Sequence, residues 1–244
     1  MSNILVDTND VNYNALYNQL GGARHNGLYY YAKTIENYII PKVKTSRPWN
    51  TIGLKACGGQ NGMIVFIHAN LQPEKDYTWL KKFTNIVCVS NSRRTAEKML
   101  PYSYSIYLPP SVDVKGVRKI AGKVKKDQDS CFAGNPWPAY RKEIDTFVPA
   151  WVHRFGTMPR EELLPILAHY KNVYAIGLTA VEARALGCNI MKRTERYDPE
   201  DFPLFDCEDA AKCLQVAVEL VDKEKPGKIV DCTKFPEFRD RKQK

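Results

Sequence analysis

Glu182 is the residue whose surroundings point most directly to chemistry. It lies in the run NVYAIGLTAVEARALGCNIM, Asn172 to Met191. Val173 to Ile176 is apolar and ends at Gly177, a helical segment follows from about Ala180, and Gly187 stops it before Asn189 to Met191 turns apolar again. The pattern is strand, tight loop, short helix, strand, with Thr179 where an N-cap belongs. A helix start offers free N–H groups and the positive end of its dipole to an anion. A carboxylate beside it accepts hydrogen bonds from hydroxyls. That combination suits a nucleotide, phosphate on the amides and ribose on Glu182. The same T-x-x-E spacing is also a capping box, which needs no ligand and contributes about 1 kcal/mol. The residues alone leave both readings open.

A second chemical signal is charge. The chain carries a net charge of +9 over 244 residues. Lys115, Arg118, Lys119, Lys123, Lys125 and Lys126 crowd into the run KGVRKIAGKVKK. A basic balance of this kind points to a polyanionic partner, nucleic acid foremost, with solubility as the simpler account. The seven cysteines form no C-x-x-C pair, and the four histidines share no metal-ligand spacing with them. We therefore expect reduced, buried thiols and no zinc site. Hydrophobic content of 44% and charged content of 26% are those of a globular protein. The chain has no apolar run long enough to span a bilayer and its amino terminus lacks the pattern of a secretory signal, so a cytoplasmic location is expected.

The elements that must position these residues alternate apolar runs with amphipathic ones. Asn3 to Val6, Met63 to His68, Ile86 to Val89 and Ile106 to Leu108 read as strands in the first half. Gly27 to Lys42 and Ser92 to Leu100 read as helices. In the second half Ser130 to Ala133 and Val152 to Phe155 read as strands, and helices are expected from Glu143 until Pro149 interrupts, from Pro159 to Ala168, and from Glu208 to about Lys223. The fold class is α/β, and two Rossmann-like domains facing a cleft fit it better than one long sheet. The expected boundaries are an amino-terminal domain at 1–114, a basic linker at 115–129, a carboxy-terminal domain at 130–225 and a tail at 226–244.

In their order along the chain, several segments between Gly21 and Met191 resemble glycosyltransferases of the GT-B type. Gly21 and Gly22 precede a helix, as does the glycine loop of that family. VFIHAN is similar to its strand ending in a histidine at the interdomain cleft, which marks His68. LPPSVDV resembles its I-P-N-G-V-D passage, with Ser111 in place of glycine. CFAGNPWPAYRKEID is similar to its strand, glycine, loop and basic residues, and HRFGTMPREELLPILAHY to the segment lining its base pocket. The resemblance implies that Gly21, Gly22, Gly134, Arg141, Lys142 and Thr179 bind the donor diphosphate and that Glu182 binds the ribose. Gly134 lets backbone approach the ligand, and the two cations stabilise a leaving group that gains charge. Many retaining members have a further glutamate eight positions before this one. Tyr174 stands there, which leaves the stereochemical outcome open.

The expected activity is transfer of a sugar from a nucleoside diphosphate, UDP-sugar in particular, to a hydroxyl acceptor. Small basic members of this type resemble phage enzymes that glycosylate hydroxymethylated bases in DNA, which would place the chain in the cytoplasm of a host cell. Arg93, Arg94, Lys119 and Lys123 are candidate DNA contacts. His68, Asp7 and Asp10 are candidates for the general base. Beyond the nucleotide sugar no tightly bound cofactor is expected, and the sequence leaves metal dependence open. The alternatives are a cell-wall or lipid-linked acceptor, and a nucleotide- or DNA-binding protein of the same fold without transfer.

Overall fold

The apolar runs form ten strands among the residues described. The computed structural model describes residues 4–6, 30–31, 34–51, 61–67, 77–134, 141–156, 158–195 and 197–238. The strands are β1 (Ile4–Val6), β2 (Trp49–Thr51), β3 (Ile64–Ile67), β4 (Val87–Ser90), β5 (Tyr104–Tyr107), β6 (Gln128–Ala133), β7 (His153–Phe155), β8 (Tyr170–Tyr174), β9 (Asn189–Met191) and β10 (Val230–Asp231). The helices are α1 (Arg93–Met99), α2 (Val114–Ala121), α3 (Arg141–Phe147), α4 (Arg160–Ala168), α5 (Gly177–Ala185) and α6 (Cys207–Glu224). They belong to two compact units, the first built from 35–109 and 208–238 with β1, the second from 30–34 and 110–207. The class is α/β with parallel sheets.

In the first unit the strand order is β1-β2-β3-β4-β5-β10, and every neighbouring pair is parallel. Strands without polar alternation need cover on both faces, and β3 and β4 are buried along their whole length. Met63, Val65, Ile67, Leu80, Ile86, Cys88 and Met99 form a core cluster there. Ser92 caps α1 by accepting from the Thr95 N–H. Arg47 joins three segments, donating to the carbonyls of Gly62 and Asn85 at 2.8 and 2.7 Å and to Asp222 at 2.7 Å.

The helix expected over Gly27 to Lys42 ends differently from a regular one. Ile35–Ile39 is a wide π turn and Ile40–Lys42 a tight 3-10 turn. Pro41 has no N–H to continue the ladder, so the helix cannot close regularly. The stretch 226–244 was expected as a tail, yet Val230 and Asp231 form the edge strand β10 against β5. Helix α6 from Glu208 onward and that strand both belong to the first unit rather than to a carboxy-terminal domain at 130–225.

The second unit has the order β7-β6-β8-β9, again all parallel. The basic stretch at 115–129 is not a linker. It holds most of α2 and the first residues of β6. Asp113 caps α2 through the Gly116 N–H at 2.9 Å, and Val114, Val117 and Ala121 bury one face. The helix packs on α4 and α5, and Arg118 donates to the Ala185 carbonyl at 2.9 Å. Lysines every few residues hid an apolar stripe at helical spacing.

Candidate functional site

The strand order of the second sheet decides where a ligand can sit. From β6 the chain steps sideways to β7, then crosses back past β6 to β8 and on to β9. The order therefore reverses between β6 and β8. In open parallel sheets the loops leaving the two strands at such a reversal diverge, and ligands bind outside their carboxyl ends. The described strands of the first sheet run in chain order from β1 to β5, with no reversal among them. The loop after β6 begins at Gly134, and the one after β8 runs through Ala175 and Ile176 to Gly177, where α5 starts.

Both glycines need to be glycine. Gly134 has φ 132° and Gly177 φ 61°, in the region that L side chains avoid. At Gly134 a Cβ would stand 2.8 Å from Nη1 of Arg193, so the loop is also held close to that guanidinium. At Gly177 the backbone turns straight from the strand into α5. Its N-cap is Ile176, which has no capping side chain. The first-turn N–H groups have no intrahelical acceptor, and among the described residues no side chain caps them.

This start corrects the expectation for Thr179. It is the third residue of α5, not its N-cap, and lies half-buried. The positive φ of Gly177 lets the helix begin earlier than a threonine cap would allow. No capping box joins Thr179 to Glu182, and the purely local account of that spacing falls away. Glu182 is instead 4% exposed and ion-paired with Nε of Arg160, the first residue of α4. Burial pushes the Glu182 carboxyl up to about 7, against the opposing pull of Arg160. The guanidinium lies over the Tyr30 ring at 5.5 Å, and the Arg160 N–H donates to the Tyr30 hydroxyl at 3.4 Å. Glu182 is thus held inward rather than open to solvent.

Arg193, two residues beyond β9, has no assigned role in the sequence reading. It is 5% exposed, with Nη1 donating to the Ala133 carbonyl at 3.4 Å and its plane over the Phe132 ring at 4.8 Å. Its side chain therefore passes from β9 across the carboxyl end of β8 to β6. Lys142, the second residue of α3, is exposed. Its neighbour Glu143 accepts from the Glu195 N–H at 3.0 Å, which ties α3 to the loop carrying Arg193. Arg141 opens α3. Gly134 and Arg193 thus meet at the carboxyl end of β6, the end of the sheet from which Gly177 and α3, with Lys142, also lead off.

The other expected residues lie apart from it or outside the description. Asp7, Asp10, Gly21, Gly22 and His68 fall outside the described residues. Arg93 is paired with the buried Asp231 at 2.5 Å and lies over Tyr107 at 4.9 Å. Arg94, Lys119 and Lys123 are exposed. Among the described residues no group of three or more His, Cys, Asp or Glu side chains is placed to hold a metal ion. No described helix is long and apolar enough to cross a membrane. The sequence could have flagged Arg193 through its place just past the carboxyl end of a predicted strand. Arg160 carried no such signal, because its partner lies a whole strand–helix unit away. No family model, no curated protein and no solved structure matches the chain.

Proposed function

We propose that this chain is a glycosyltransferase of the GT-B type, with the donor nucleotide held by its second unit. The observation that supports it is the strand-order reversal of that sheet, bracketed by two positive-φ glycines and an uncapped helix start. The resemblance independently assigns Gly134 and the segment around Thr179 to the donor diphosphate. The expected donor is a UDP-sugar and the expected acceptor a hydroxymethylated base in DNA. In the transfer step the acceptor oxygen bonds to the anomeric carbon while the bond from that carbon to the diphosphate breaks. The electron pair leaves with UDP, and the acceptor proton passes to a base. The amides of α5 and the charge of Lys142 stabilise the departing diphosphate in this reading. His68, Asp7 and Asp10 remain the candidates for the base.

Acceptor choice rests on charge. Lys115, Lys119, Lys123 and Lys125 are exposed on or just after α2, where they form a patch suited to phosphates. A duplex base has to be extruded to react in such a site. A second reading, a nucleotide-binding protein without transfer, draws on Glu182. A ribose hydroxyl reaching that carboxylate has to share it with Arg160.

Incubation with UDP-glucose and hydroxymethylated DNA separates these readings. Transferase activity predicts UDP release that depends on the modified DNA and does not occur with unmodified DNA. Thermal stabilisation by UDP without any sugar consumption supports the second reading. Absence of both release and stabilisation by any nucleoside diphosphate rejects the two together.

A further inference from the structure

Among the described residues, three buried carboxylates face a cation. Glu182 is paired with Arg160, Asp231 with Arg93, and Asp209 with Lys212. Arg193 is equally buried, yet no carboxylate pairs with it among the described residues, and its Nε has no hydrogen-bond partner. The next acidic residues along the chain are engaged elsewhere, Glu195 with Lys192 at 2.9 Å and Asp198 with the Glu200 N–H at 2.9 Å, and Glu143 accepts from the Glu195 N–H. Burial lowers the Arg193 guanidinium to about 10, which leaves it charged at neutral pH. A cation taken out of water without a counter-charge is costly unless something supplies one.

Its position says what that something is. The guanidinium spans the carboxyl end of β8, between the Gly134 loop and the strand from which α5 starts. The uncapped N–H groups of α5 begin three residues after β8 ends. The guanidinium sits at the carboxyl end of β6 and the amides of α5 start just past its neighbour β8, so a tetrahedral anion held between the two ends would meet both. The fork of arginine matches two phosphate oxygens, which a lysine cannot reproduce.

We infer that Arg193 is the buried counter-ion of the ligand's phosphate, a phosphate-binding residue of the second unit. The inference rests on the nucleotide reading for the identity of the ligand, but its anion chemistry stands on the geometry alone. Without ligand the side chain is a charge kept for a partner. Replacing it with an apolar side chain lifts that desolvation cost, set against the loss of the Ala133 bond and the Phe132 stacking.

The test is calorimetric titration of inorganic diphosphate and of UDP into the wild-type chain, Arg193→Met, Arg193→Lys and the exposed control Lys171→Met, together with thermal melts without ligand. Arg193→Met is expected to bind both ligands about 10- to 100-fold more weakly, the usual worth of a charge-assisted bond. Arg193→Lys should recover part of that loss and Lys171→Met should match the wild type. The ligand-free Tm of Arg193→Met should equal or exceed that of the wild type, a result a structural arginine would not give. Equal UDP binding by wild type and Arg193→Met overturns the inference and leaves the nucleotide reading intact. Arg193-dependent binding of inorganic diphosphate with no preference for UDP upholds the inference and removes the nucleotide. If the wild type binds neither ligand, both fall.

Discussion

Glu182 and Arg193 are two buried ionisable side chains whose energetics run in opposite directions. Glu182 has its counter-charge in Arg160, and the pair is built into the contact between α4 and α5. Truncation to alanine would strand a largely buried guanidinium, a change worth roughly 3–5 kcal/mol of stability. Loss of ligand binding in such a variant would therefore say little about ribose. Glu182→Gln is the more informative change, read through pH. Below about 4.5 the wild-type carboxyl is neutral in both folded and unfolded chains. Between there and about 7 the unfolded chain ionises while the folded one keeps its proton, so stability falls as pH rises. The full loss for a shift of this size is about 3 kcal/mol, complete about a unit above the folded value. Urea unfolding of wild type and Glu182→Gln at pH 5 and pH 8 should show this extra decline only in the wild type. A wild type that gains stability over that interval would mean that pairing with Arg160 outweighs burial.

At the scale of elements, α2 carries the prediction for a polyanionic partner. Its buried face is Val114, Val117 and Ala121, while Lys115 and Lys119 are exposed on the same helix. Reversing both to glutamate should leave the melting temperature nearly unchanged, since neither side chain is buried. If they contact phosphates, the slope of log K for DNA binding against log salt should become shallower by roughly two. An unchanged slope, measured by anisotropy at several salt concentrations, would remove α2 from the DNA surface. The elements themselves were legible where local pattern and packing agree. Asn189 to Met191 and the stop at Gly187 are of that kind, as is the helix that begins after Ser92. Thr179 misled because T-x-x-E occurs just as readily one turn inside a helix, and only the φ of Gly177 reveals the earlier start. The short strand β2, Trp49–Thr51, has too few residues to show alternation, and β10 has only two. Arg193 and Arg160 owe their environments to residues far away in sequence, at Ala133 and Glu182. No periodicity can report such contacts.

For the whole molecule, the thiols report on how each unit holds together as a folded body. Cys88, Cys131, Cys188, Cys207, Cys213 and Cys232 are all free and buried. Burial pushes Cys88, Cys131, Cys207 and Cys213 up to about 12 and raises Cys188 and Cys232 as well. Because the thiolate is the nucleophile, these six should resist alkylation in the native protein at pH 8 and react only through opening. Cys88, Cys213 and Cys232 belong to the first unit, and Cys131, Cys188 and Cys207 to the second. The two units have separate cores: Met63, Val65 and Leu80 around Cys88 in the first, and Phe132, Ile144, Val148 and Val152 in the second. Pulsed alkylation across a urea series, read peptide by peptide, should therefore give one midpoint per set. Two midpoints mean that each unit unfolds as its own cooperative body, and a ligand of the second unit should then shift only the midpoint of Cys131, Cys188 and Cys207. A single midpoint for all six, moving as one on addition of diphosphate, would mean that the chain unfolds as one cooperative body. Labelling of these thiols in the absence of urea would contradict their burial outright.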